Sequence, residues 1–281
     1  MRHFRGRSVR YVCLTLYGAF SVMPLVWMVS AAFKRPQDVL TIPIRWVPPV
    51  WQPGNFAQAL LEPRFSGSSL LTFALNSIFV AIVTSLASII LSSFVGYGFA
   101  KFRFRGRDPL LWAMLSTTLL PFSSVIIPLY LIMRGIGLLD TLWALIVPLA
   151  LTGQTIFLAR QFIVSLPSEL MDAARVDGAG ELQIFGRIMF PLLGPAIATL
   201  GILTFLVSWN QFLWPLVVLS SQDHFTVPLG LSLMGLGSTF LVDYHLWMAA
   251  ATLAVVPPLV FFLLLERPYL RGLETLSGLK E

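Results

Sequence analysis

The sequence predicts an all-α polytopic membrane protein with six transmembrane helices, and three observations carry that prediction. First, 57% of the 281 residues are hydrophobic and only 11% are charged, less than half of the roughly one quarter usual in a soluble domain. Second, six stretches approach or exceed the roughly 20 apolar residues needed to cross a hydrocarbon core, and none of them contains Asp, Glu, Lys or Arg. Third, the basic residues gather in alternate connections between those stretches. The runs are continuously apolar and do not alternate with period two, so helices are expected, not a membrane barrel. This composition weighs against a soluble enzyme, a disordered chain and a nucleic-acid-binding domain.

The first span, Tyr11–Phe33, follows Arg2, Arg5, Arg7 and Arg10. Its length exceeds the 7–15 residues of a signal-peptide core, so retention is expected. The second, Leu71–Ala100, is overlong and calls for tilt or interfacial ends. The third, Pro109–Met133, carries Pro121 and Pro128; the fourth is Thr141–Leu158; the fifth, Ala196–Ser220, carries Pro215; the sixth, Leu246–Leu265, carries Pro257 and Pro258. Each internal proline removes a backbone donor and favours a break or kink. A membrane tolerates these where neighbours or a cavity satisfy the freed carbonyls.

Orientation follows from Lys and Arg. The N-terminus, the 101–108 and 159–195 loops and the C-terminus hold fourteen basic residues, against five in 34–70, 134–140 and 221–245. Both termini are therefore expected in the cytoplasm, and the net charge of +6 reflects positive-inside bias, not a nucleic-acid patch. Trp112, Trp143 and Trp247 sit near span ends, as in an interfacial aromatic belt; core packing is the equal alternative. Cys13, alone in an apolar run, excludes an internal disulfide.

The spans contain polar but no ionisable residues: Asn76, Ser77, Ser92, Ser93, Ser116 to Thr118, Gln154, Asn210 and Gln211, with His3, His224 and His245 outside. Hydroxyls bonded to their own helix and amides bonded to a neighbour are the ordinary account; a neutral polar pathway is the other. Ion-coupled carriers and pumps place ionisable residues in the membrane, and none is present here. The chain has no Walker A sequence, H-E-x-x-H or G-x-S-x-G. An enzyme is not expected, no metal site is expected, and active transport would need energy from another chain docked on the cytoplasmic side.

The 159–195 loop is too long for a plain connection. Ser168 suits an N-cap, Glu169 the positive helix end, and Gly178 a C-terminal stop. A second short helix is expected from Glu181 to Phe190, ended by Pro191, with Leu182, Phe185 and Met189 facing the bundle. Ala173 and Ala174 allow close approach of a partner, and Asp172, Arg175 and Asp177 set mixed charge beside them. From composition, a knob for a partner's groove and a hairpin on the membrane surface stand level.

The order Asp172-Ala173-Ala174, Gly178, then Ile188-Met189-Phe190-Pro191 resembles the EAA motif of ABC-importer permeases, with Asp for Glu and Phe for Leu. Phe33-Lys34, Trp46-Val47-Pro48-Pro49 and Asn55-Phe56 resemble the first outer loop of maltose-type permeases. Gly96 to Lys101 with Phe104-Arg105-Gly106, Trp209-Asn210-Gln211-Phe212-Leu213-Trp214-Pro215, and the tail with Arg271-Gly272-Leu273 and Lys280 resemble the same family. The resemblance covers essentially the whole chain and points to the smaller permease of a carbohydrate importer.

It implies a type I importer fold and an importer built from this chain, a second permease, two ATP-binding subunits and an extracytoplasmic solute-binding protein. ATP and Mg would belong to the partner ATPase, with no cofactor on this chain. Asp172, Ala173, Ala174, Arg175, Asp177, Gly178, Ile188 and Pro191 would form the coupling loop. Trp209, Asn210 and Gln154 are the candidate pathway residues, since amides bond sugar hydroxyls and an aromatic face packs on a sugar ring. For Trp209 and Asn210, packing and helix bonding are the favoured competing account. The implied organisation is 1–70, a cytoplasmic segment, first span and outer loop; 71–265, a five-span core with the 159–195 loop; and 266–281, a cytoplasmic tail. A permease for another small solute and a passive facilitator are the alternatives.

Overall fold

A computed structural model describes residues 2–62, 68–236 and 243–278, with side chains described from Arg10 to Arg267. Lys280 and residues 63–67 and 237–242, in two of the long connections, lie outside the described residues, as do the side chains of Arg271 and Leu273. Every long element described is a helix. Three helices are uninterrupted and apolar enough to span a membrane: Arg10–Ala32, Leu70–Lys101 and Tyr244–Arg267. Three bent helix pairs would each count as one further span by length and composition: Arg107–Leu119 with Phe122–Gly135 at 106°, Trp143–Leu149 with Gly153–Val164 at 47°, and Glu181–Leu192 with Gly194–Trp209 at 78°.

The prolines act more selectively than expected. Pro121 marks the break of the third span and N-caps the helix that follows, whereas Pro128 lies within the Phe122–Gly135 helix. The long Tyr244–Gly278 helix runs through Pro257 and Pro258. The fifth span does not continue to Ser220: its helix stops at Trp209, and a short helix restarts at Leu213–Val218. Pro215 is the third residue of that restart, in the first turn where a missing N–H costs no helical bond. The break therefore falls before the proline, at 210–212.

Contacts divide the chain into two compact units. One comprises Met1–Leu71 and Gly230–Val256. In it Asn55 donates to the carbonyls of Ala32 (2.8 Å) and Lys34 (2.9 Å), closing the loop that follows onto the end of the first span. Phe33 packs between Phe56 and Trp51, with centroids 4.9 and 5.2 Å away. Lys34 is fully buried, its ammonium on the Arg45 carbonyl and beside the Trp27 ring. A buried cation survives when hydrogen-bonded and set over an aromatic face. The Trp247 indole donates to the Leu231 carbonyl, so its position reflects packing, while Trp112 and Trp143 in the other unit project outward.

The other unit comprises Thr72–Leu229 and Pro257–Glu281. Its helices meet at small residues. A Cβ on Gly153 would lie 2.1 Å from the Met114 carbonyl oxygen, and one on Gly96 would lie 2.9 Å from the Arg160 nitrogen. Ser92 donates to Thr155 at 2.7 Å across the same contact. Asn76 donates to the carbonyls of Asp223 and Phe225, and Ser77 accepts from the Val227 N–H. Two polar residues of the second span thus fasten the loop after the fifth.

Candidate functional site

The 159–195 loop folds as a short helix, Glu169–Val176, then a turn, then helical backbone from Glu181 to Leu192. The first helix ends at Gly178, which has φ +82, a conformation open to glycine at little cost. The Ala179 N–H returns to the Ala174 carbonyl at 2.9 Å, satisfying an end carbonyl. Ser168 does not cap this helix with its side chain. Its hydroxyl accepts instead from the Lys101 ammonium at 3.2 Å, and Lys101 also donates to the Leu166 carbonyl at 2.8 Å. The Lys101 end of the second span therefore holds the loop's entry.

Helical spacing places Met171 and Ala174 on the inner face, in a cluster with Tyr97, Ile163, Ile184, Met189 and Leu193. Leu170, Ala173 and Val176 form the outer face, with Val176 88% exposed. The two alanines thus have different roles: Ala174 closes the packed side and Ala173 leaves the other side low. Asp172 and Asp177 are exposed. Arg175 is held at 2.8 Å by both Asp172 and Glu181. The bond to Glu181, ahead of opposing desolvation, pushes the Arg175 pKa up. Tyr97 donates to the second Glu181 oxygen at 2.8 Å, so the turn is anchored to the second span.

In the second helical segment Phe185 and Met189 face the Met171 cluster as expected, and only Leu182 departs. Leu182 is 73% exposed, and Ile184 and Met189 are the fully buried residues. A π-helical turn at Phe185–Met189 accounts for this, because it puts residues five apart on one face. The same wide turn, with the Phe190 N–H bonded to the Phe185 carbonyl, makes room for the ring of Pro191. The helical backbone consequently runs to Leu192. Ile188 packs against the Met171 cluster, while Pro191 is exposed just before the 78° bend.

A second feature is a cleft of ≈ 500 Å³ where the helix breaks at 120–121, 150–152 and 210–212 converge. Its polar lining includes Thr117, Thr118, Gln154, Thr155 and Gln211, beside Phe122 and Trp214, and no charged residue lines it. Thr117 and Thr118 spend their hydroxyls on the carbonyls of Met114 and Leu115. The buried Gln211 Oε1 has no hydrogen-bond donor among the described residues. Of the three pathway candidates only Gln154 lines the cleft. Trp209 is buried and stacked on Phe205 at 5.8 Å, and Asn210 donates to the Leu206 carbonyl at 2.8 Å as it ends its helix. Sequence reasoning singled out the neighbours of Gln211. The missing signal was the helix break, which turns Gln211 into the cleft while Asn210 caps.

A third feature was not flagged by sequence. Asp140, at φ 57, accepts from the N–H groups of Ser220 (2.9 Å) and Ser221 (2.8 Å), from the Ser221 hydroxyl and from His224. Burial works against its charge, but these donors together hold the carboxyl well below the usual carboxylate range. The joint ties the turn before the fourth span to the loop after Leu213–Val218.

The profile of the family described as binding-protein-dependent transport system inner membrane component matches residues 88–269. The arabinooligosaccharides transport system permease protein AraQ of Halalkalibacterium halodurans is 36% identical, over 92% of this chain and 91% of that protein. The lactose transport system permease protein LacG of Rhizobium radiobacter is 32% identical over 94% of each chain. The sn-glycerol-3-phosphate transport system permease protein UgpE of Agrobacterium fabrum is 30% identical, over 95% of this chain and 96% of that one. The crystal structure of a bacterial ABC transporter importing the acidic polysaccharide alginate contains a chain that superposes with TM-score 0.83. That match is 23% identical and covers 95% of this chain and 98% of the other.

Proposed function

Because this chain belongs to the family of binding-protein-dependent transport system inner membrane components, it is a multi-pass permease subunit, and we propose that its cargo is a neutral sugar, oligosaccharide or related polyol. Relatives named for arabinooligosaccharides and lactose support that class. One relative is named for a phosphate ester; the charge-free lining of the cleft favours a neutral solute here. Gln154 and Gln211 supply amide donors and acceptors suited to hydroxyl groups.

Both termini lie in the cytoplasm, and the Glu169–Val176 helix is the coupling helix. The observation that carries this reading is its two-sidedness. Met171 and Ala174 are locked into the bundle, while Leu170, Ala173 and Val176 stand bare between Asp172 and Asp177. A partner ATPase groove takes that outer face, as a short helix enters a groove. One such ATPase docks here and a second on a partner permease; ATP and Mg bind to those subunits. A solute-binding protein delivers cargo to the outer loops. The subunit transports and performs no catalysis of its own.

The test is reconstitution of the co-purified assembly in liposomes with its binding protein. Uptake of a neutral oligosaccharide that stops when ATP is withheld, together with a disulfide from Val176→Cys to a groove cysteine on the ATPase, is the expected result. Uptake undiminished without ATP would leave a passive facilitator as the correct reading.

A further inference from the structure

We propose that an anionic phospholipid binds beside the coupling loop, its acyl chain in an apolar groove and its headgroup on the arginines of the 101–108 hairpin. The groove, ≈ 350 Å³, is lined by Phe94, Phe99, Phe102, Phe104, Leu110 and Leu182, with almost no polar surface apart from the edge formed by Tyr97 and Glu181. A second hollow, ≈ 410 Å³, is lined by Arg103, Phe104, Gly106, Arg107, Asp108 and Pro109. Phe104 lines both, so the apolar groove and the basic hollow adjoin at its ring. Phe104 is fixed by its contact with Phe99 at 5.7 Å, which keeps the two hollows joined.

Charge complementarity selects the occupant. Lys101, Arg103, Arg105 and Arg107 lie within seven residues. Of these, Lys101 is spent on Leu166 and Ser168, and Arg107 on Asp108. Arg103, in the wall of the basic hollow, and its exposed neighbour Arg105 make no ion pair among the described residues. The two carboxylates that line the hollows are both paired, Asp108 with Arg107 and Glu181 with Arg175, while Tyr97 donates to the other Glu181 oxygen. An apolar chain joined to a negative headgroup fits this arrangement, and basic clusters at the end of a span attract such lipids. A protein segment in the groove would leave the arginines unanswered. The inference rests on the reading that this hairpin lies at the membrane interface.

The test is native mass spectrometry of the full chain, purified with its partners in mild detergent and titrated with dioleoyl phosphatidylglycerol or dioleoyl phosphatidylcholine. One tightly retained phosphatidylglycerol is expected, with phosphatidylcholine retained more weakly. Arg103→Gln with Arg105→Gln should weaken retention about 30-fold, taking about fivefold per charge. Gly98→Leu adds a side chain in open space on the groove wall, and should remove the bound lipid while all charges remain. Equal retention of both lipids, or retention unchanged in either variant, overturns the proposal. So does loss of the ATPase, with lipid still bound, in Gly98→Leu, because the groove would then be a protein contact. Lipid retention is read in detergent without transport, so its failure is distinct from failure of the import reading.

Discussion

Arg175 Nε donates to Glu181 Oε1 at 2.8 Å across the Gly178 turn, so the two helices of the loop are joined by an ion pair as well as by the chain. Both groups are partly exposed, and such pairs contribute about 0–1 kcal/mol to stability. Their value lies in geometry, since Glu181 is also fixed by Tyr97 on the second span. Arg175→Ala should therefore leave membrane insertion and thermal stability nearly unchanged and lower ATP-driven uptake several-fold. A double-mutant cycle with Glu181→Gln, read in uptake, should show strong non-additivity; additive losses would contradict the bracing role.

Gly178→Ala places a Cβ at φ +82, at a cost of about 1–2 kcal/mol for a residue with an L side chain. Uptake should fall while the protein still assembles. Gly178→Pro, whose ring forbids that φ, should abolish uptake with insertion intact. Membrane fractionation and transport measured on the same preparation check both.

Gly153→Ala should lower the melting temperature in detergent, because the new methyl would sit 2.1 Å from a backbone carbonyl that cannot swing away. Overpacking of this kind costs about 1–3 kcal/mol or more. Gly18→Ala, which meets nothing within 4 Å, is the control and should not destabilise.

Gln211→Leu and Gln154→Leu should each raise the half-saturation concentration for transport about tenfold, the cost of losing one or two hydrogen bonds to a hydroxylated cargo. Trp209→Ala should instead lower thermal stability, since Trp209 is buried against Phe205. The contrast between affinity and stability separates residues in the cleft from those behind it.

Asp140 gives a pH dependence with a definite sign. Its folded carboxyl titrates lower than in the unfolded chain, so its stabilisation is fully present above the ordinary aspartate range near 3.9. That stabilisation is lost only as pH falls below that range, toward the lowered folded value. Asp140→Asn should thus destabilise the protein at pH 7, and the difference from the parent should shrink in strong acid. Melting curves across pH check it; a gap independent of pH would exclude the charge as the cause.

The 159–195 loop was legible because it is built from local rules. Glu169 and Gly178 announce a helix and its end within a dozen residues, and the chain folds it that way, although Ser168 turns its hydroxyl to Lys101 and does not cap. The facing of Leu182 was not legible, because a π turn shifts the register by one residue and nothing in a 3.6-residue pattern signals it. Asn55 and Asn76 each satisfy two carbonyls of distant segments, partners that no local window contains.

The sequence by itself determined that this chain crosses a membrane, roughly where, and that it carries a short charged helix with the spacing of its family. Transfer of apolar residues from water and the special conformations of glycine and proline are properties of short segments, so a short segment reveals them. Only the tertiary structure decided which polar residue faces the cleft, that three breaks meet around it, and that Asp140 holds four donors. Those outcomes depend on backbone directions at the breaks and on groups up to eighty or more positions apart, and a hydrogen bond is made only where folding brings its two ends together.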